Sequence, residues 1–187
     1  MIGSQTVVAP LGRDAIESFA LAWRRALGFE DAQAVDMLKV IEFILPMIWD
    51  DYSYEIVDDA ELGEAEATTS TTHRHIRIGL GPYERAMQGF SRYAFTLAHE
   101  LGHLLLHTGK PTSLARGTVK SYLNPEWQAD TFAGAFLVPA GEARKCLSIE
   151  EIAARFRISQ AAAQVRADRL KIPGLAKKRG TEKTQHP

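Results

Sequence analysis

The segment with the clearest chemical content is FTLAHELGHLLLH, which contains His99, Glu100 and His103. Histidines four residues apart lie on the same face of an α-helix, so both imidazole rings can reach one metal ion. A glutamate between them lies beside that ion and can take a proton from a water molecule that the ion holds. The spacing therefore predicts a metal site with Glu100 as the general base.

The predicted helix over residues 90–107 is apolar over most of its circumference, which indicates that it is buried. One polar strip runs along it and comprises Arg92, Thr96, His99, Glu100, His103 and His107. A polar strip on a buried helix must be satisfied by a metal, by a hydrogen-bond network or by water. The alternative to a metal site is a pair of core histidines bonded to backbone groups.

A second predicted helix, over residues 125–138, offers the third ligand. Asn124 is its expected N-cap and Pro139 its expected stop. Glu126 shares the inward side of its apolar stripe, so we expect this carboxylate to point at the core and to need a partner such as the metal. Asp130, one turn later, could accept a hydrogen bond from a ligating histidine. The alternative is an exposed helix start, where acidic residues only favour the helix dipole.

Two histidines and one glutamate suit a single zinc ion, which keeps a fourth position for water. Manganese or iron could also occupy such a site. A developing oxyanion needs a further donor, and His107 or Tyr122 could supply this contact or bind substrate. For His107, the alternative is a histidine favoured by the dipole at a helix C-terminus.

Residues 76–139 resemble the ImmA/IrrE family of bacterial metallopeptidases. The resemblance is carried by the segment TLAHELGHLLLH and, after a loop, by EWQADTFAGAFLVP. The resemblance implies zinc ligands at His99, His103 and Glu126, with Glu100 as base. It also implies a gluzincin-like core with an edge strand that could bind an extended substrate. Family members are associated with cleaving helix-turn-helix (XRE-type) repressors in stress responses, so a DNA-binding repressor is the expected protein substrate.

The rest of the chain predicts an α+β fold, a mainly helical zincin-like core with a small β-sheet. We expect helices over residues 14–28 and from about 31, with Pro46 ending or kinking the second. Strands are predicted over residues 54–57 and 75–80, separated by a loop-like stretch over residues 58–72.

Residues 148–170 predict two short helices in a helix-turn-helix-like hairpin. Residues 1–139 carry 11 Lys and Arg against 18 Asp and Glu, whereas residues 140–187 carry 11 against 5. The basic end could make weak nucleic-acid contacts, with Arg166 and Arg169 on the helix that such a motif presents to DNA. The alternative for the charge is a solvated basic tail, and for the hairpin we favour a structural or partner-docking role over sequence-specific DNA binding. We expect a peptidase domain at 1–143, the hairpin packed on it at 144–173 and a disordered basic tail at 174–187.

Bulk properties are those of a globular protein, with 45% hydrophobic and 24% charged residues. One cysteine, Cys146, allows no internal disulfide, and no segment reads as a signal peptide or membrane span. We therefore expect a cytoplasmic protein without a membrane partner, and the ImmA/IrrE resemblance implies a bacterial one. A transcription regulator with a structural zinc site, or a regulatory protein that needs a partner for activity, stays open as an alternative to an enzyme.

Overall fold

A computed structural model describes residues 4–177 of the chain. Its strands are β1 (Ser4–Val7), β2 (Ser53–Val57), β3 (Ala67–Thr69), β4 (His75–Gly79) and β5 (Ser113–Arg116). Its helices are α1 (Arg13–Ala26), α2 (Met37–Lys39), α3 (Leu45–Ile48), α4 (Asp59–Leu62), α5 (Leu80–Met87), α6 (Arg92–Leu106), α7 (Pro125–Leu137), α8 (Ala140–Ala143), α9 (Ile149–Phe156) and α10 (Gln160–Leu170). The predicted α+β class is confirmed. Within residues 4–177, no helix is both long enough and apolar enough to cross a membrane. Most of the predicted basic tail, residues 178–187, lies outside the described residues.

Two small sheets replace the single one expected. In the first, the strand order is β2-β4-β3, with β2 parallel and β3 antiparallel to β4. Strand β3 and helix α4 both fall within residues 58–72, so the prediction of a loop there is wrong. The segment ATTSTT shows no alternation of apolar and polar residues. It becomes a strand because it pairs with β4 and packs against α6, where Ala67 is buried.

The second sheet is the antiparallel pair β1-β5, and both of its strands were missed from the sequence. It ties the N-terminus to the segment before α7. The backbone N–H groups of Val8 and Leu11 donate to the carbonyls of Leu123 and Tyr122, both at 3.0 Å. Ala9 is thereby held close to the start of α7.

The second helix begins later than predicted. Asp36 caps α2, because its side chain accepts a hydrogen bond from the N–H of Lys39 at 3.1 Å. A π-helical turn, Val40–Ile44, joins α2 to α3. Pro46 lies inside α3 and does not end the helix. The wider turn before it accommodates a residue that has no N–H to donate.

Helices α1, α6 and α7 form the centre of the core, with α7 packed against both others. Phe132 and Phe136 are fully buried, with their rings stacked at 5.5 Å. Gly102 of α6 faces α7 so closely that an added Cβ would lie 3.1 Å from the Cα of Ala129. The close approach of α6 and α7 thus depends on a residue without a side chain.

The buried guanidinium of Arg24 connects α1 to the end of α7. It donates to the carbonyls of Phe136 at 2.6 Å, of Glu30 at 2.8 Å and of Gln33. The Phe136 carbonyl belongs to the last turn of α7, where helix carbonyls lack an N–H partner. Arg24 therefore supplies both a donor and a positive charge at that helix end.

Helices α9 and α10 occupy the predicted hairpin region, and the turn between them places Arg157 at φ 52°. Their buried residues, including Ile152 and Phe156, belong to the same apolar cluster as α6 and α7. Arg166 is 3% exposed and donates to the Val138 carbonyl at 2.9 Å and to Glu17. A presentation of Arg166 to DNA is therefore wrong, because its guanidinium is used inside the protein.

Candidate metal centre

The structure brings His99, His103 and Glu126 together. The Nε2 atoms of His99 and His103 are 2.9 Å apart, and they lie 3.2 and 3.5 Å from the carboxylate oxygens of Glu126. One ligand atom from each residue lies within 4.8 Å of the other two. Within residues 4–177, no fourth histidine, cysteine or carboxylate belongs to this group.

The two helices position these atoms in different ways. His99 and His103 are one turn apart on α6, which is fixed by its buried apolar side. Glu126 lies in the first turn of α7, where Asn124 Oδ1 accepts from the N–H of Trp127 at 3.0 Å. The side chain of Glu126 is 68% exposed, so the expectation that it points into the core is wrong. It reaches the histidines from the solvent side, at the mouth of the site.

Charge at the site suits a cation. Hydrogen bonds with His103 and His99 hold the pKa of Glu126 well below its usual range. Burial disfavours a charged His99 ring, but hydrogen bonds with Asp130 and Glu126 outweigh it and raise the pKa of His99 to about 9. The group therefore collects negative charge next to imidazole nitrogens, which is what a divalent metal requires.

Asp130 lies beside His99, as the sequence predicted, and its Oδ1 is 3.0 Å from His99 Nδ1. Burial opposes its charge, but the hydrogen bond with His99 and nearby positive charge lower the pKa of Asp130. Arg169 of α10 donates to the Asp130 backbone carbonyl at 3.1 Å, and its guanidinium lies 3.5 Å from Oδ2. Arg169 is thus engaged beside the site, which agrees with the favoured structural role of the hairpin and not with a contact to DNA.

His107 lies behind His103. It is 6% exposed, its Nδ1 is 3.0 Å from His103 Nδ1, and its Nε2 is 3.0 Å from Gln128 Oε1. With both ring nitrogens engaged, His107 cannot contact an oxyanion or substrate, and that expectation is wrong. Burial lowers the pKa of His107 to about 4, which keeps the ring neutral.

Gln128 was missed in the sequence, although a signal for it exists. It lies four and eight residues before Phe132 and Phe136, so it shares their inward face, and it is fully buried. A buried amide on an apolar helix needs polar partners.

Glu100 is 8% exposed, and its Oε2 accepts a hydrogen bond from Thr69 Oγ1 at 2.8 Å. Burial raises the pKa of Glu100, and the bond from Thr69 only partly opposes this. Thr69 ends β3, and its single hydroxyl hydrogen is shared between Oε2 and the Glu100 backbone carbonyl, which lies 3.0 Å from Oγ1. No sequence signal identifies Thr69, because β3 itself was not predicted.

Tyr122 lies in the short 3₁₀ helix Ser121–Leu123 that precedes α7. Its ring is 39% exposed and packs under the ammonium group of Lys120 at 5.8 Å. Its backbone carbonyl accepts from Gln128 at 2.8 Å. The structure thus assigns a contact to the main chain of Tyr122, and its side chain stays a candidate for substrate contact.

The donor set fits zinc. Two imidazole nitrogens and one carboxylate oxygen, converging on one point, are the three-ligand arrangement of catalytic zinc sites. A structural zinc site would have four protein ligands. Since the described residues supply three to this group, the arrangement favours a site with an open position.

Comparisons with known proteins bear on the family resemblance and on the fold. Residues 85–168 match the family model of the IrrE N-terminal-like domain, of the M78 peptidases. A Mycobacterium tuberculosis transcriptional regulator of known structure has a similar fold, with a TM-score of 0.53 and 19% sequence identity. The match covers 87% of this chain and 49% of that protein, so the chain spans about half of its length. No protein with a curated description matches the sequence. The predicted ImmA/IrrE resemblance is confirmed, and the chain carries, at residues 85–168, a peptidase-like domain of the IrrE N-terminal-like family.

Proposed function

We propose that this protein is a zinc-dependent endopeptidase that cleaves a regulatory protein. The observation that carries the proposal is the convergence of His99, His103 and Glu126 from two helices, next to the buried carboxylate of Glu100. The peptidase-like family domain supports it, because the matched segment contains all four residues.

His99 Nε2, His103 Nε2 and a Glu126 oxygen would hold the ion, with Asp130 orienting the ring of His99. Zinc bound there would act as a Lewis acid on water and on the scissile carbonyl. Glu100 would take the proton from the attacking water and give it to the leaving amine. Thr69 fixes Oε2 of Glu100 for this task, and Oε1 has no hydrogen-bond partner within residues 4–177.

Strand β3 offers a path for an extended substrate. It lies at the edge of its sheet, and its outer side has no strand partner within the described part of the chain. Thr69, its last residue, touches Glu100, so a peptide paired with this edge would pass beside the base. The expected substrate class, a helix-turn-helix repressor, rests on the family resemblance.

The test compares the zinc-loaded protein with Glu100→Gln and Glu126→Ala. A peptide library and the repressor encoded nearest the gene would be incubated with each, and new chain ends identified by mass spectrometry. Glu100→Gln should keep its zinc and lose cleavage, whereas Glu126→Ala should lose zinc as well. Cleavage by Glu100→Gln would remove Glu100 as base, and unchanged zinc content in Glu126→Ala would remove Glu126 as ligand.

A second candidate function is that of a regulator with a peptidase-like fold, acting alone or only with a partner. The Mycobacterium tuberculosis protein of similar fold is a transcriptional regulator, and the C-terminal part of this chain is basic. Salt-dependent DNA binding by the zinc-loaded protein, with no peptide bond cut in any substrate, would favour this candidate.

A further inference from the structure

We propose that His107 and Gln128 are positioning residues that fix the ring of His103 with Nε2 directed at the metal site. This inference rests on the proposed metal site and adds a buried hydrogen-bond chain behind it. This chain of hydrogen bonds runs from the backbone carbonyls of Ala9 and Tyr122 through Gln128 and His107 to His103.

The amide of Gln128 can adopt one orientation only. One end of the amide lies 2.9 Å from the carbonyl of Ala9 and 2.8 Å from that of Tyr122. Carbonyl oxygens only accept hydrogen bonds, so the NH₂ group must face them. The amide oxygen therefore faces Nε2 of His107.

That orientation determines the hydrogen positions on both histidines. The amide oxygen of Gln128 only accepts, so His107 carries its hydrogen on Nε2. A second hydrogen on Nδ1 would make His107 a buried cation with no acidic partner in its hydrogen bonds, which is costly. His107 Nδ1 is therefore an acceptor, and His103 Nδ1 must donate to it across 3.0 Å.

His103 then has a lone pair on Nε2, the atom that faces His99 and Glu126. The opposite tautomer would place a hydrogen there and block ligation. The two candidate ligands are thus oriented by different means. His99 uses a half-exposed carboxylate, Asp130, whereas His103 uses an uncharged chain anchored to the main chain at Ala9 and Tyr122. Removing such an orienting partner typically weakens metal binding by about 10–100-fold.

The first measurement uses the unsubstituted protein. Nitrogen-15 spectra of zinc-loaded protein with labelled histidine should show His103 bound through Nε2 with its hydrogen on Nδ1, and neutral His107 with its hydrogen on Nε2. A hydrogen on Nδ1 of His107, or metal bound through Nδ1 of His103, would overturn the proposal. This measurement requires no variant to fold.

The second measurement is zinc affinity by competition with a chelator. His107→Leu removes the acceptor and should weaken zinc binding by about 10–100-fold. His107→Asn restores an acceptor oxygen near the position of Nδ1 and should bind zinc more like the unsubstituted protein than like the leucine variant. Leu106→Ala, a neighbouring buried position on α6, is the control for general loosening and should leave affinity unchanged.

Equal zinc affinity in His107→Leu and the unsubstituted protein would refute the proposed role of the hydrogen-bond chain. A loss of zinc affinity in His107→Asn or Leu106→Ala as large as that in His107→Leu would refute it too. Neither measurement depends on hydrolysis. A protein that binds zinc through this chain but cuts no peptide would contradict the proposed function and leave the inference intact. An active peptidase whose zinc affinity does not change in His107→Leu would support the proposed function and contradict the inference.

Discussion

Gly102→Ala tests whether the contact between α6 and α7 determines the position of the candidate ligands. A Cβ at residue 102 would lie 3.1 Å from the Cα of Ala129 and 3.2 Å from both its carbonyl oxygen and a ring carbon of Phe132. Two of these atoms are backbone and cannot turn away. Restoring an ordinary distance requires the helices to separate by about 0.3 Å.

The net change in the free energy of unfolding is the difference between the cost of overpacking and the gain in helix propensity. Overpacking of this kind costs about 1–3 kcal/mol, whereas alanine gains about 1 kcal/mol over glycine in a helix interior. Gly134→Ala provides the matched control, because that glycine is also helical and buried, but its added Cβ would meet only Arg166 Cδ at 3.7 Å. We expect Gly134→Ala to stabilise the protein by about 1 kcal/mol and Gly102→Ala to destabilise it by a similar amount.

Denaturant unfolding of both variants measures the difference, which we expect to be about 2 kcal/mol, or roughly 4–8 °C in melting temperature. Zinc content of the same samples should fall only in Gly102→Ala, because Glu126 is carried by α7. If Gly102→Ala is as stable as Gly134→Ala, the inter-helix contact is not tight and this account of the site's geometry fails.

Two further predictions concern single side chains elsewhere in the fold. Arg24→Leu should lower the free energy of unfolding by about 3 kcal/mol, because buried carbonyls at the end of α7 and in the turn after α1 lose their donor. Arg25→Leu, which breaks only an exposed pair with Asp31, should cost less than about 1 kcal/mol, and equal losses would contradict the role of Arg24. Arg157→Gly should stabilise the protein by about 1 kcal/mol in the same assay, since glycine relieves the positive φ at this exposed turn; a loss of stability would show that its side chain matters more than its backbone.

The long periodic elements could be predicted from the sequence because their signals are local. The apolar side of α6, the cap at Asn124 and the stop at Pro139 are all readable within a few turns of chain. The short strands β1, β3 and β5 could not be predicted. Each is three or four residues long and depends on contacts with other elements: β1 and β5 come from opposite halves of the chain and pair with each other, whereas β3 pairs with the next strand, β4, and packs against α6.

The candidate ligands were identified by residue type and spacing, but of the polar residues around them only Glu100 and Asp130 were predicted to lie at the site. Helical periodicity placed Glu126 on the inward side, whereas its position in the first turn of α7 lets a long side chain bend outwards to the histidines. His107 was on the correct strip of α6, yet its role depends on Gln128 and on carbonyls at residues 9 and 122. Contacts between segments so distant in the chain have no signature in any one of them.

The arginines of α10 have a practical consequence for dissecting this protein into parts. A fragment trimmed after α7 would deprive Glu17 and the Val138 carbonyl of their shared cation, and would remove the guanidinium that flanks Asp130. The isolated hairpin would in turn present Ile152 and Phe156 to water. Neither fragment is expected to keep the structure that it has in the full chain. Assays of metal binding and of DNA binding must therefore both use a chain that extends at least through α10.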